Sequence, residues 1–153
     1  MGFATHLGPW LLGTVKNTTG TTAGTIRNTG CTVVAQSAAT TVSDTTARTI
    51  MAIPAGSQIL SITVDITTAY AGTTGNTITI KAGSTTLGTV GGATTTPLAV
   101  GRATFTITDA NIATWLNVGS TDALITATYA CAGVASGGAA TVTVNYVVRN
   151  SDG

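Results

Sequence analysis

The chain has 153 residues, enough for one domain or one domain with an arm, and its composition is lopsided: 43% hydrophobic, only 7% charged, and a formal net charge of +1. The six Lys and Arg residues are scattered, so no basic patch can hold a phosphate backbone, which argues against a nucleic-acid partner. No stretch reaches the ~18 consecutive apolar residues of a membrane-spanning helix, so no membrane partner is expected either.

About a quarter of the chain is threonine, and 19 residues are glycine, a mixture that favours strands and tight turns over helices. Glutamate is missing altogether. Charge is depleted at the centres of protein–protein interfaces, and a lone soluble subunit so poor in charge would risk association. Composition therefore fits either a hydroxyl-coated sandwich that works alone or a subunit largely covered in an assembly. Met1 to Gly13 does not read as a signal peptide, because it has no basic start and Gly8-Pro9 interrupts the apolar run.

Residues 1–29 read as an arm and residues 30–153 as a β-sandwich domain. Gly8-Pro9-Trp10-Leu11-Leu12-Gly13 is a short apolar knot, and Val15 and Ile26 are isolated apolar anchors in the Thr-, Gly- and Asn-rich run after it. An indole buries a large apolar area, so Trp10 should fasten the arm, either back onto its own domain or onto a neighbouring subunit. Pro9, Trp10, Leu11, Leu12 and Val15 are the expected partner-binding residues.

In the body, Thr32–Ala35 is a first strand candidate and Thr45–Ile53 a second, with Met51 and Ile53 on one face. Pro54-Ala55-Gly56-Ser57 is a turn. Leu60, Ile62, Val64 and Ile66 then alternate with polar residues and should share the apolar face of a long half-buried strand. Asn76–Ile80 repeats the period after a loop and is expected to pair beside that strand. Leu87–Val90 is short. Arg102–Thr108 alternates with Phe105 and Ile107 inward. Asp109–Asn117 is the one helical candidate, with Asp109 as N-cap and Ile112, Trp115 and Leu116 on one face, Trp115 serving as a core plug. Ala123–Cys131 and Ala139–Val148 end the chain as two strands joined by a small-residue hairpin loop, Gly133–Gly138. Eight or nine short strands predict an all-β fold, an antiparallel β-sandwich or jelly roll with an extended N-terminal arm and one short helix.

Chemistry is hard to place. The single histidine, His6, lies in the arm, away from any scaffold that could hold a base beside a nucleophile. Asp44, Asp65, Asp109, Asp122 and Asp152 show no paired spacing for acid–base work. Cys31 and Cys131, a hundred residues apart, make no metal cluster with one histidine, and whether they pair is open. Gly72-Thr73-Thr74-Gly75 and Gly88–Gly92 lack the lysine of a phosphate loop and read as turns. No catalytic, metal or cofactor site is expected; the chain does not read as an enzyme.

Three stretches carry a resemblance. Ile53–Tyr70, the start from Met1 to Thr22, and the pair Asp122–Tyr129 and Gly138–Val148 resemble small virion structural proteins of tailed bacteriophages, especially marine phages of cyanobacteria. That resemblance implies a capsid decoration or cement protein on the outer capsid surface of the virion. Its partners would be the major capsid protein and further copies of itself, as a trimer or around local symmetry axes. It brings no catalytic motif. The alternative is a tail- or fibre-associated receptor- or carbohydrate-binding module, with Tyr70, Tyr129 or Trp115 exposed at its site.

Overall fold

A computed structural model describes residues 31–92, 94 and 97–149, apart from the side chains of Cys31, Thr32 and Arg149. The expected arm, residues 1–29, lies outside the described residues. Val33–Val148 form one compact unit.

Among the described residues nine elements succeed one another: β1 (Cys31–Thr41), β2 (Arg48–Ile53), β3 (Gln58–Thr68), β4 (Thr74–Ala82), β5 (Thr85–Gly91), β6 (Gly101–Thr104), the helix α1 (Ile112–Leu116), β7 (Ala123–Ala132) and β8 (Ala139–Arg149). They form two four-stranded sheets of order β1-β8-β3-β6 and β2-β7-β4-β5. The pairs β2–β7, β3–β6, β3–β8, β4–β5 and β4–β7 are all antiparallel. Every connection except the β4–β5 hairpin passes from one sheet to the other. That order is a jelly roll, so over the described residues the expected all-β sandwich with one short helix is the fold that forms.

Alternation makes the sandwich. Ile62, Val64 and Ile66 of β3 and Val142, Val144 and Tyr146 of β8 face inward from one sheet. Met51 and Ile53 of β2, Ile78 and Ile80 of β4, and Ile125, Ala127 and Tyr129 of β7 meet them from the other. Each removes apolar area from water at roughly 25 cal/mol per Å² while the intervening threonines face out.

Several expectations change. Leu60 does not join the apolar face: the β3–β8 register shifts between Ile59 and Ser61, so Leu60 is 45% exposed and Ile59 takes the core position. One extra residue in a strand turns the side chains on its two sides to opposite faces of the pleat. Second, β4 does not pair beside β3, nor β8 beside β7. In both cases the linking segment, 69–73 or 133–138, crosses between sheets, as it must to bring two apolar faces together across a core ~10 Å thick. Third, the short strand expected at Leu87–Val90 forms and extends over Thr85–Gly91, so Gly88–Gly91 is strand rather than turn. The ring of Phe105 lies where a Cβ on Gly88 would be, so this glycine lets Phe105 cover the strand. The strand around Arg102 stops at Thr104, and Ile107 is 47% exposed.

Fourth, the helix is a single turn. Asn111, not Asp109, precedes it, and no side chain caps it. Asn111 instead stitches two segments: its Oδ1 accepts from the Thr108 amide at 2.8 Å and its Nδ2 donates to the Leu87 carbonyl at 3.1 Å. Ile112 and Leu116 are exposed, while Trp115 is buried in the core as expected.

Candidate functional site

The pairings put four connections at one end of the sandwich: β1–β2, β3–β4, β5–β6 and β7–β8. The other end holds β2–β3, β4–β5 and β6–β7 with α1. At the four-connection end a buried polar network ties the loops together. Asp44, 8% exposed in the β1–β2 turn, is its hub. Its carboxylate accepts from Arg48 Nε at 2.6 Å, from Thr40 Oγ1 at 2.9 Å and from the Thr41 amide at 2.8 Å. Burial opposes ionisation of Asp44, but the hydrogen bonds from Arg48, Thr41 and Thr40 outweigh it and hold the carboxyl below its ordinary value.

Two tyrosines continue the network inward. Tyr70 donates to the Thr40 carbonyl at 2.9 Å and tilts against Tyr129, ring centroids 4.8 Å apart. Tyr129 donates to Asn76 Oδ1 at 2.5 Å, and Asn76 clasps the backbone of Gly72 through both its oxygen and its amide. Gly138 passes over the Tyr70 ring, where any Cβ would enter the ring, and its φ of +140° also suits glycine alone. Burial drives the Tyr70 phenol up to about 12. Burial and then the neighbouring Cys131 thiol drive Tyr129 up as well.

This arrangement positions loops; it does not present a reactive group. Among the described residues no three His, Cys or Asp side chains gather to hold a metal ion. Three open surface grooves, of about 450, 480 and 360 Å³, are lined mainly by Thr, Gly and Ala, and Asp122 in the smallest is the only carboxylate among their walls. Asp65 is in an ion pair: Arg102 Nε lies 2.5 Å from it across β3 and β6. Cys131 is half-buried and donates to the Gly133 carbonyl at 3.4 Å.

Pro9, Trp10, Leu11, Leu12 and Val15 lie outside the described residues, as does His6. Tyr70, Tyr129 and Trp115, the aromatics expected at a carbohydrate site, are all core residues with at most 1% exposure, so none can stack on a ligand. Sequence reasoning passed over the Asp44–Arg48 pair. Its one signal was a carboxylate four residues ahead of a guanidinium, with only Thr45, Thr46 and Ala47 between them.

The chain matches no family model and no curated protein. Among solved structures it is similar to a chain of the acidic stable capsid structure of Helicobacter pylori bacteriophage KHP30, at 11% identity and a TM-score of 0.50, covering 78% of this chain and 94% of that one. It is also similar to a chain of the cyanophage Pam1 capsid asymmetric unit, at 19% identity and a TM-score of 0.40, covering 78% and 85%. The chain is thus a jelly-roll protein, and it shares that fold with the KHP30 chain across nearly the whole of the latter.

Proposed function

We propose that the chain is a structural virion protein, a decoration or cement subunit that binds the outer surface of a bacteriophage capsid and stabilises contacts between its capsomers. The supporting observation is the jelly roll itself, shared with a chain of the phage KHP30 capsid structure over 94% of that chain. The described body agrees with a holding role. Asp44, Arg48, Asp65 and Arg102 are spent on internal ties, and its surface grooves carry no acid–base pair. The partner is the major capsid protein, joined by further copies of this chain around a symmetry axis of the shell. Residues 1–29 act as the anchoring arm, with Pro9, Trp10, Leu11, Leu12 and Val15 burying apolar area on the shell. Many copies give an avidity that one weak contact does not.

The test compares the full chain with a variant lacking residues 1–22, each incubated with capsids stripped of this protein and imaged. The truncated chain is expected to fold, with an unchanged unfolding midpoint, and to leave the shell bare. Normal occupancy by the truncated chain would end the arm's role. Full-length protein found on no part of the particle would end the virion reading.

A further inference from the structure

A sheet edge exposes a row of backbone donors and acceptors, and folded proteins usually blunt it with charge, proline, a bulge or brevity. Three of the four edges here are blunted. The edge strand β6 has four residues, and its Arg102 is paired with Asp65. β2 starts with Arg48 and breaks register between Thr49 and Met51. β5 breaks register against β4 between Ile80 and Lys81, and it ends at Gly91 with a φ of +87°. The fourth edge, β1, runs for 11 residues, Cys-Thr-Val-Val-Ala-Gln-Ser-Ala-Ala-Thr-Thr, with no charge, proline or glycine.

Among the described residues, only one end of the β1 edge is covered. The Thr41 amide donates to Asp44 Oδ2 and the Ala39 carbonyl accepts from Arg48 Nη2, so these two residues point their backbone groups away from β8. Alternation along a strand then turns the N–H and C=O of Ser37, Ala35 and Val33 the same way. Among the described residues no strand lies on that side of β1. Val33, Ala35 and Ser37 are all exposed, Val33 at 64%, and only Val33 is bulky.

We propose that a second copy of this chain pairs along this edge, β1 antiparallel to β1, about a twofold axis through Ala35. The two four-stranded sheets then become one continuous sheet. The Asp44–Arg48 cap sets the register, because it occupies the edge from Ala39 onward. A centre at Ala35 pairs the outward groups of Val33, Ala35 and Ser37 with those of the second copy, placing Val33 opposite its Ser37. Small, uncharged side chains let the edges meet, and Val33 gains cover. This contact needs neither the arm nor a shell, so its failure leaves the capsid reading untouched, and the reverse also holds.

The test uses the full chain in solution. Sedimentation equilibrium should show a reversible dimer. Hydrogen exchange at the Val33, Ala35 and Ser37 amides should slow as concentration rises. Residue 35 faces its own copy, so Ala35→Lys and Ala35→Glu should each weaken association roughly two- to fivefold through like charges placed opposite one another. An equimolar mixture of the two should restore it as a heterodimer. Both side chains point into solvent, and circular dichroism checks that both variants fold. A wild-type chain that stays monomeric with fast exchange at all three amides overturns the proposal. So does a mixture that associates no better than either variant alone.

Discussion

At the end where β1 hands over to β2, the sandwich is closed by a carboxylate, a guanidinium and two phenols; at the opposite end it is closed by an indole. The first closure is a set of directional bonds: Asp44 to Arg48, Thr40 and Thr41, Tyr70 to Thr40, Tyr129 to Asn76. The second is packing. Trp115 fills the core, its Nε1 finds no acceptor among the described residues, and the loops around it meet through backbone bonds such as Gly56 N–H to Gly119 O at 2.7 Å. These directional bonds, one of them between charged groups, fix the β1–β2 and β3–β4 loops in place but answer to pH. An indole answers to volume, and an apolar closure carries no proton to lose.

Trp115→Ala should therefore have the largest effect and break the indole end alone. Truncating a buried tryptophan costs roughly 3–5 kcal/mol, a large share of the ~5–15 kcal/mol that holds a domain together. Chemical denaturation should show the lower midpoint, and the pH dependence of what stability remains should match that of the native chain. Trp115→Phe should cost less, because it also removes an unpartnered buried N–H. A midpoint unmoved by the alanine would mean that the indole closes nothing.

Asp44→Ala comes next. It strands Arg48, the Thr40 hydroxyl and the Thr41 amide at once, and hydrogen bonds to a charged group are worth roughly 1.5–3 kcal/mol. Asp44 has a folded carboxyl held below its ordinary 3.8, so its stabilisation is in place above that value and disappears as pH falls through the lowered one. Unfolding midpoints between neutral pH and pH 2 should thus fall less steeply in Asp44→Asn than in the native chain. Asp65→Ala is the contrast: its bond with Arg102 also lowers its pKa, but that pair is solvent-exposed, so at physiological salt no change in midpoint is expected. Equal losses from Asp44 and Asp65 would show that burial at the turn contributes nothing.

How far the chain could be read obeys the same division. The apolar faces of β3, β7 and β8 were visible because alternation needs only one strand. Which strand lies beside which was not, because period 2 marks a face and says nothing of a neighbour; hence β3 and β4 were wrongly expected to pair. The bulge at Leu60 is set by β8, far along the chain. Trp115 was legible as a plug from its helical spacing, while Ile112 and Leu116 were not, since one turn has too few neighbours to bury a second side. The polar end was the least legible. Asp44, Tyr70, Asn76 and Tyr129 are spread over 86 residues of sequence, and the jelly-roll topology alone brings them together. The β1 edge was hidden for the same reason, as a strand becomes an edge only through the order of its sheet.

Tyr70→Phe should have a smaller effect than Asp44→Ala, and it probes the polar end from the alkaline side. At neutral pH the variant loses one hydrogen bond, to the Thr40 carbonyl, worth about 1 kcal/mol. The larger signature lies in the pH profile. A phenol ordinarily ionises at 10.0, and burial raises that of Tyr70 to about 12. The stabilisation linked to that group is complete below the ordinary value and is lost as pH climbs through the interval to the raised one. The native chain should therefore lose stability progressively between about pH 10 and pH 12, with Tyr129, also raised, adding to the slope. Tyr70→Phe should flatten that limb without touching the acid limb set by Asp44, although the two side chains share Thr40 as a partner. An alkaline limb as steep as the native one would mean that the phenolate reaches water at little cost. The loops at that end would then be held by the Asp44–Arg48 pair and by packing, with the tyrosine hydroxyls as bystanders.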